Sequence, residues 1–150
     1  MDLPQELINR LQAMDSTGKA QFPPPIASMV KSTFIEYVKG QHMSMQFKIE
    51  EHINNPAHIT FGGMHSIFFD MVMGPFSGLE TGMMTSSLDL NVTFIRALNP
   101  TDEYVQVNVS SINQSKSFLL LSGESISKNG KLIATATSRM IILDSARINK

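Results

Sequence analysis

The 150 residues predict an α+β domain in which one antiparallel β-sheet wraps around a central, mostly apolar α-helix. Three features carry that expectation. Residues 64–74 are apolar on nearly every side, and a helix with no polar face belongs inside a protein or an interface. Between Met84 and Phe94 apolar and polar side chains alternate with a period of two for eleven residues, as in a half-buried strand. The later strand-like runs are joined by turns short enough for antiparallel hairpins.

Taken in order, Leu3, Leu7, Ile8, Leu11 and Met14 have the spacing of a short amphipathic helix over residues 3–14. Gly18 and the run Pro23-Pro24-Pro25 end it and read as an extended connector, so residues 1–25 form an N-terminal helix and a Pro-rich link. Thr33, Ile35 and Tyr37 then share one face of a strand, and after a turn at Gly40 come Met43, Met45, Phe47 and Ile49; together they read as a hairpin. Residues 51–60 are polar and turn-like, centred on Asn54-Asn55-Pro56. Gly62-Gly63 opens the apolar helix, which Pro75 is expected to end or kink. In the strand that follows, Met84, Ser86, Leu88, Leu90, Val92 and Phe94 alternate with Thr85, Ser87, Asp89, Asn91 and Thr93. Asn99-Pro100-Thr101-Asp102 is a turn, and further strands follow at 105–109, 118–126 and 132–143. The order is helix, two strands, buried helix, four strands. With no internal repeat and no composition break, residues 1–150 read as one domain.

Composition narrows the function. An apolar fraction of 42% and a charged fraction of 17% lie on the globular side of the divide from disorder. The net charge of −1, with Lys and Arg scattered, argues against a nucleic-acid partner, whose phosphates need clustered cations. The absence of cysteine excludes disulfides, thiolate nucleophiles and Cys-ligated zinc. No run reaches the roughly 18 apolar residues of a membrane span, and the opening Met1-Asp2-Leu3-Pro4-Gln5-Glu6 is polar and acidic, so the cytoplasm is the expected address. Eleven methionines and no Trp stand out. They read first as fillers of irregular core gaps and second as the wall of a pliable pocket for a flexible chain.

Two features can carry chemistry. Asp70 is the one acidic residue of the apolar helix, and a carboxylate left there needs a partner. Burial raises a carboxyl pKa, and such acids gather at active sites; a buried Asp that caps a neighbouring strand or loop fits the same sequence equally well. Gly62-Gly63 at a helix start exposes amide N–H groups that can hold a developing oxyanion. Taken alone, the pair is better explained as a tight turn that needs glycine. Gly62 and Asp70 are eight residues apart, hence ~12 Å along one helix, too far to act on one carbonyl carbon. The same helix of a second copy, running antiparallel, can bring one chain's Gly62 to the other's Asp70. A site using both is a shared site.

The segment Asn55-Pro56 … Phe61-Gly62-Gly63-Met64-His65-Ser66-Ile67-Phe68-Phe69-Asp70, followed by Ser87-Leu88-Asp89-Leu90-Asn91-Val92-Thr93-Phe94, resembles the hotdog-fold acyl-CoA thioesterases of the phenylacetate-pathway and thioesterase-superfamily type. The resemblance spans roughly residues 45–143. It implies a hotdog fold, a homodimer or homotetramer, and an acyl-CoA substrate hydrolysed with no metal and no cofactor beyond the coenzyme A that the substrate carries. It implies Asp70 as nucleophile or general base and the Gly62 N–H as the donor to the thioester oxygen. Asn55 matches the amide that orients water or substrate, and Ser87 the hydroxyl that helps hold the water or the carboxylate. Phe61, Gly63 and His65 are expected to border the substrate. One departure is plain: the family places His immediately before the double Gly, where this chain has Phe61. Arg96, Lys116, Lys128 and Lys131 can meet coenzyme phosphates at the sheet rim, although each also reads as an ordinary solvated charge.

Two rivals share the fold. Asn55-Pro56-Ala57-His58 is similar to part of an enoyl-CoA hydratase motif, but the acid that motif needs two residues before the Asn is Ile53 here. A non-catalytic acyl or acyl-CoA binding protein is the other rival, with Phe61 as its best support.

Overall fold

The computed structural model describes residues 1–143. Its elements are α1 (Gln5–Ala13), β1 (Ser32–Val38), β2 (His42–Lys48), α2 (Gly62–Thr81), β3 (Thr85–Phe94), β4 (Tyr104–Gln114), β5 (Phe118–Ser127) and β6 (Leu132–Ile142), with three short 3₁₀ turns between them. The six strands make one sheet in the order β1-β2-β4-β5-β6-β3, and every neighbouring pair is antiparallel. The helix–strand order expected from the periodicities is the order observed.

The sheet closes over α2 because apolar side chains of the two surfaces meet. Phe68, Phe69, Val72, Met73 and Phe76 of α2 are fully buried, as are Met43, Met45 and Phe47 of β2 and Val105, Val107 and Val109 of β4. Phe68 stacks on Phe47 with ring centroids 4.8 Å apart. The helix comes so close to β5 that a Cβ on Gly123 would lie 2.9 Å from the Phe69 ring and 3.2 Å from the Met73 methyl. Only glycine fits there without moving the helix. α1 lies against α2 in the same manner, with Leu11 Cδ2 at 3.1 Å from where a Gly78 Cβ would sit.

Pro75 neither ends α2 nor marks its boundary; the helix continues to Thr81. Proline removes one backbone hydrogen bond, but burial of Phe76, Ser77, Gly78 and Leu79 holds the following turn in place. Ser77 Oγ and Thr81 Oγ1 also donate to the carbonyls of Gly74 and Ser77, each at 2.8 Å. The true stop is Gly82 at φ 69°, whose N–H closes on the Gly78 carbonyl in a left-handed cap.

β3 corrects a second expectation. Its period of two is broken by a bulge: Ser87 pairs with Met140 and Asp89 with Arg139, which leaves Leu88 as an extra residue. Thr85 and Ser87 therefore share the helix-facing side with Leu90 and Val92, while Leu88 is 49% exposed. β3 and β1 are the edge strands, and β3 runs alongside the start of α2.

Candidate functional site

Asp70 stands on the side of α2 that the sheet does not cover. Gly63, Ile67, Asp70 and Gly74 follow at helical spacing, and each is exposed or half-buried where the opposite face is sealed. The expectation of a helix apolar and buried all round therefore fails along one strip. Asp70 is exposed in the single chain. The sheet shields only one side of the helix, and the N-terminal arm comes over the Ile67–Gly74 part of that strip without closing on it, which leaves a hollow there. Ser87 Oγ, turned inward by the bulge, donates to Asp70 Oδ1 at 2.7 Å. The other carboxylate oxygen has no partner among the described residues. Asp70 thus borders two hollows, one with Ser66, Ile67 and Ser87, the other under the N-terminal arm.

Gly62 and Asn55 form a separate cleft of about 360 Å³ at the N-terminus of α2, with His65, Phe94 and Arg96 on its walls. The loop before α2 fixes Asn55. Its N–H donates to the Ile59 carbonyl at 2.8 Å, and its Oδ1 accepts from the amides of Ala57 and Ile59. With its oxygen committed, the Asn55 side chain offers its NH₂ to the cleft. The hydrogen bond from Phe61 N–H to the Ile53 carbonyl ties this loop to the helix start. Phe61 is the residue before the helix and gives it no side-chain cap. The amides of Gly62 and Gly63 have no acceptor among the described residues, as the first turn of a helix leaves them. A Cβ on Gly62 would touch the Phe94 ring at 3.5 Å, and one on Gly63 the Phe61 ring at 3.6 Å. Both aromatic rings are more than half exposed, so they wall these amides without closing them off.

His65 is buried, edge-on to Phe94 and to Phe68, and its Nδ1 has no hydrogen-bond partner. Burial pushes its pKa below the usual imidazole value, which keeps the ring neutral near pH 7. The sign follows from linkage: below about pH 6.5 the unfolded chain takes a proton that the folded state refuses. Urea midpoints at pH 7.5 and 5.5 are therefore expected to fall less in His65→Phe than in the wild type. Equal acid losses in the two proteins would contradict that assignment.

The structure thus brings Asp70 to Ser87 and Asn55 to Gly62, and holds the two pairs apart along α2. Phe61, Gly63 and His65 sit with the second pair. Of the four cations considered for phosphate, Arg96 borders the cleft while its Nη1 donates to the Leu132 carbonyl at 3.0 Å. Lys128 is engaged by Glu103 at 2.7 Å. His58 is exposed, with φ 57°, in the loop outside the helix. Among the described residues no group of three or more His, Asp or Glu is placed to hold a metal ion. The sequence reading missed Phe94 as a wall of the cleft, although it closes the apolar series of β3, and missed α1 as a neighbour of Asp70, which no local signal marks.

No family model matches the chain, and no curated protein matches it in sequence. Solved structures match it well. The PaaI protein of the Escherichia coli phenylacetic acid degradation operon superposes with a TM-score of 0.77 at 12% identity, over 95% of this chain and 97% of its own. A phenylacetic acid degradation-related protein of Ralstonia eutropha JMP134 gives 0.74 at 22%, over 91% and 98%. A hypothetical thioesterase of Streptococcus pneumoniae TIGR4 gives 0.70 at 13%, over 77% and 93%. The fold is the hotdog fold, and a protein of the thioesterase superfamily is among its structural neighbours.

Proposed function

We propose that the protein hydrolyses an acyl-CoA thioester to a carboxylic acid and free coenzyme A, in a site completed by a second copy of the chain. The observation that carries this reading is the open strip of α2, on which Asp70 has one oxygen held by Ser87 and the other free. Gly62 lies two turns away on the same helix, so one chain cannot place both groups on one carbonyl. The part of the strip that the arm leaves open, exposed Leu88 and Phe94, and the unpaired edge of β3 are surfaces that a two-fold related copy can cover. Antiparallel α2 helices then bring Gly62 of each copy to Asp70 of the other. A dimer of such dimers is compatible with the same arrangement.

In that site the Gly62 N–H donates to the thioester oxygen as negative charge develops on it, and Asn55 NH₂ orients the carbonyl or the water. Water attacks the carbonyl carbon and gives its proton to Asp70. The C–S bond breaks, and the departing thiolate takes that proton as the acid is released. A second route fits the same atoms: the Asp70 carboxylate attacks, expels the thiolate and forms an anhydride, which water then cleaves as its proton passes to the thiolate. No described helix is long and apolar enough to cross a membrane, and the reading places the enzyme in the cytoplasm.

Phe61 supports one alternative, a protein that binds acyl-CoA without turning it over. The hydratase reading has little left, because the position where it needs an acid is Ile53, 4% exposed in the core. The deciding experiment offers short, long and aromatic acyl-CoA thioesters and follows free thiol with a colorimetric reagent; a cysteine-free protein adds no background. Hydrolysis of at least one class is expected. Silence across the panel, from a folded protein that still binds coenzyme A, favours the binding protein.

A further inference from the structure

A hollow of about 300 Å³ lies between the N-terminal arm and α2, with Asp70 on its wall. Leu11, Met14 and Phe22 of the arm face Ile67, Met71 and Gly74 of the helix, and Met83 and Met84 border it at the start of β3. Among the described residues Asp70 and Thr85 are its only polar side chains, and Thr85 is spoken for by a hydrogen bond to Ser77. The methionines of the chain divide accordingly. Met43, Met45 and Met73 are fully buried core, whereas Met14, Met71, Met83 and Met84, with Met1 at the chain start, line this hollow.

From these walls we infer that the hollow is an acyl pocket for a straight, unsubstituted aliphatic tail of medium length, with Gly74 setting its depth. The inference rests on the reading of Asp70 as the reacting carboxylate. A tail entering beside Asp70 meets thioethers and aliphatic groups, which adapt to a flexible chain. A hydroxyl or carboxylate at the far end of that tail, away from Asp70, would be buried without a partner, and the pocket rejects it for that reason. Its volume is at the small end of ligand pockets, which limits the tail to medium length. Apart from its chain neighbours and the backbone of its own helix, nothing lies within 4 Å of a Cβ built on Gly74, so a side chain there projects into open space beside Asp70. Gly78, one turn on, has no such room because Leu11 already closes on it. The arm is therefore part of the pocket and not an appendage.

Two measurements test this separately from the thioesterase reading. The first titrates 1-octanol, a tail with neither coenzyme nor carboxylate, into protein carrying ¹³C-methyl methionine. Shifts at Met14, Met71, Met83 and Met84, with Met43 and Met45 still, are expected. The second compares octanoyl-CoA with butyryl-CoA. Gly74→Leu, which gains helix propensity but sets its Cβ against the ring of Pro75, is expected to lower the octanoyl-to-butyryl ratio of kcat/KM by about tenfold or more. Met14→Phe, which fills the hollow from the opposite wall, is expected to act in the same direction and covers the case in which Gly74→Leu fails to fold. The four methyl shifts without hydrolysis of any thioester leave the pocket standing and remove the thioesterase reading. Hydrolysis with the four methyls unmoved by 1-octanol, or with the ratio within about twofold of wild type in both folded variants, overturns the pocket and leaves the thioesterase reading intact.

Discussion

Asp70→Asn is expected to hydrolyse acyl-CoA about a hundredfold or more slowly than the wild type while remaining folded, the scale of losing a general base. The two halves of that expectation have separate grounds. Asp70 is exposed, and its one hydrogen bond, from Ser87, can be kept by an amide oxygen, so stability should change by less than about 1 kcal/mol. The loss is chemical: an amide neither takes a proton from water nor forms an anhydride. The same variant tests whether the site is shared. If Asn55→Ala is also inactive, a dimer with one change in each chain carries both defects in one site and none in the other. Equal mixing with subunit exchange should then recover about a quarter of wild-type activity. No recovery from a mixture shown to contain hybrid dimers would mean that each chain works alone, and unchanged turnover in Asp70→Asn would sink the assignment of this residue.

Phe68→Ala should destabilise the fold by about 3–5 kcal/mol, a large share of the 5–15 kcal/mol that holds a typical domain. Phe68 is fully buried and stacked on Phe47 at the centre of the contact between α2 and the sheet. It also meets the edge of His65, so its loss opens a cavity beside a ring that already has an unpartnered nitrogen. Urea unfolding gives the result directly, with the midpoint lowered and the slope unchanged. A drop below about 1 kcal/mol would show that the helix is held to the sheet by something other than this layer.

Much of this architecture is legible in the residues. The apolar run 64–74 and the alternating runs after it place α2 and the strands, because burial periodicity is a property of each segment alone. A site shared between two copies follows from the spacing of Gly62 and Asp70 and the rise of a helix alone. What the sequence hides depends on distant partners. Pro75 reads as a stop, yet packing around Phe76 and Leu79 carries the helix past it. Asp70 reads as buried, since no local pattern says which strip of a helix the sheet leaves bare. The hollow under α1 is silent for the same reason: Leu11 and Gly78 are 67 residues apart, and neither announces the other.

The extra residue at Leu88 has a consequence for how chains of this kind are matched to one another. It acts as a change of phase, so that the hydroxyl of Ser87 and the apolar groups of Leu90 and Val92 arrive on one side of a strand that simple counting would split. An alignment carried residue for residue across this point against a strand without a bulge must be wrong on one side of it. Where the single gap is placed then decides which hydroxyl is equated with the one at the carboxylate. Superposed backbones do not face that choice.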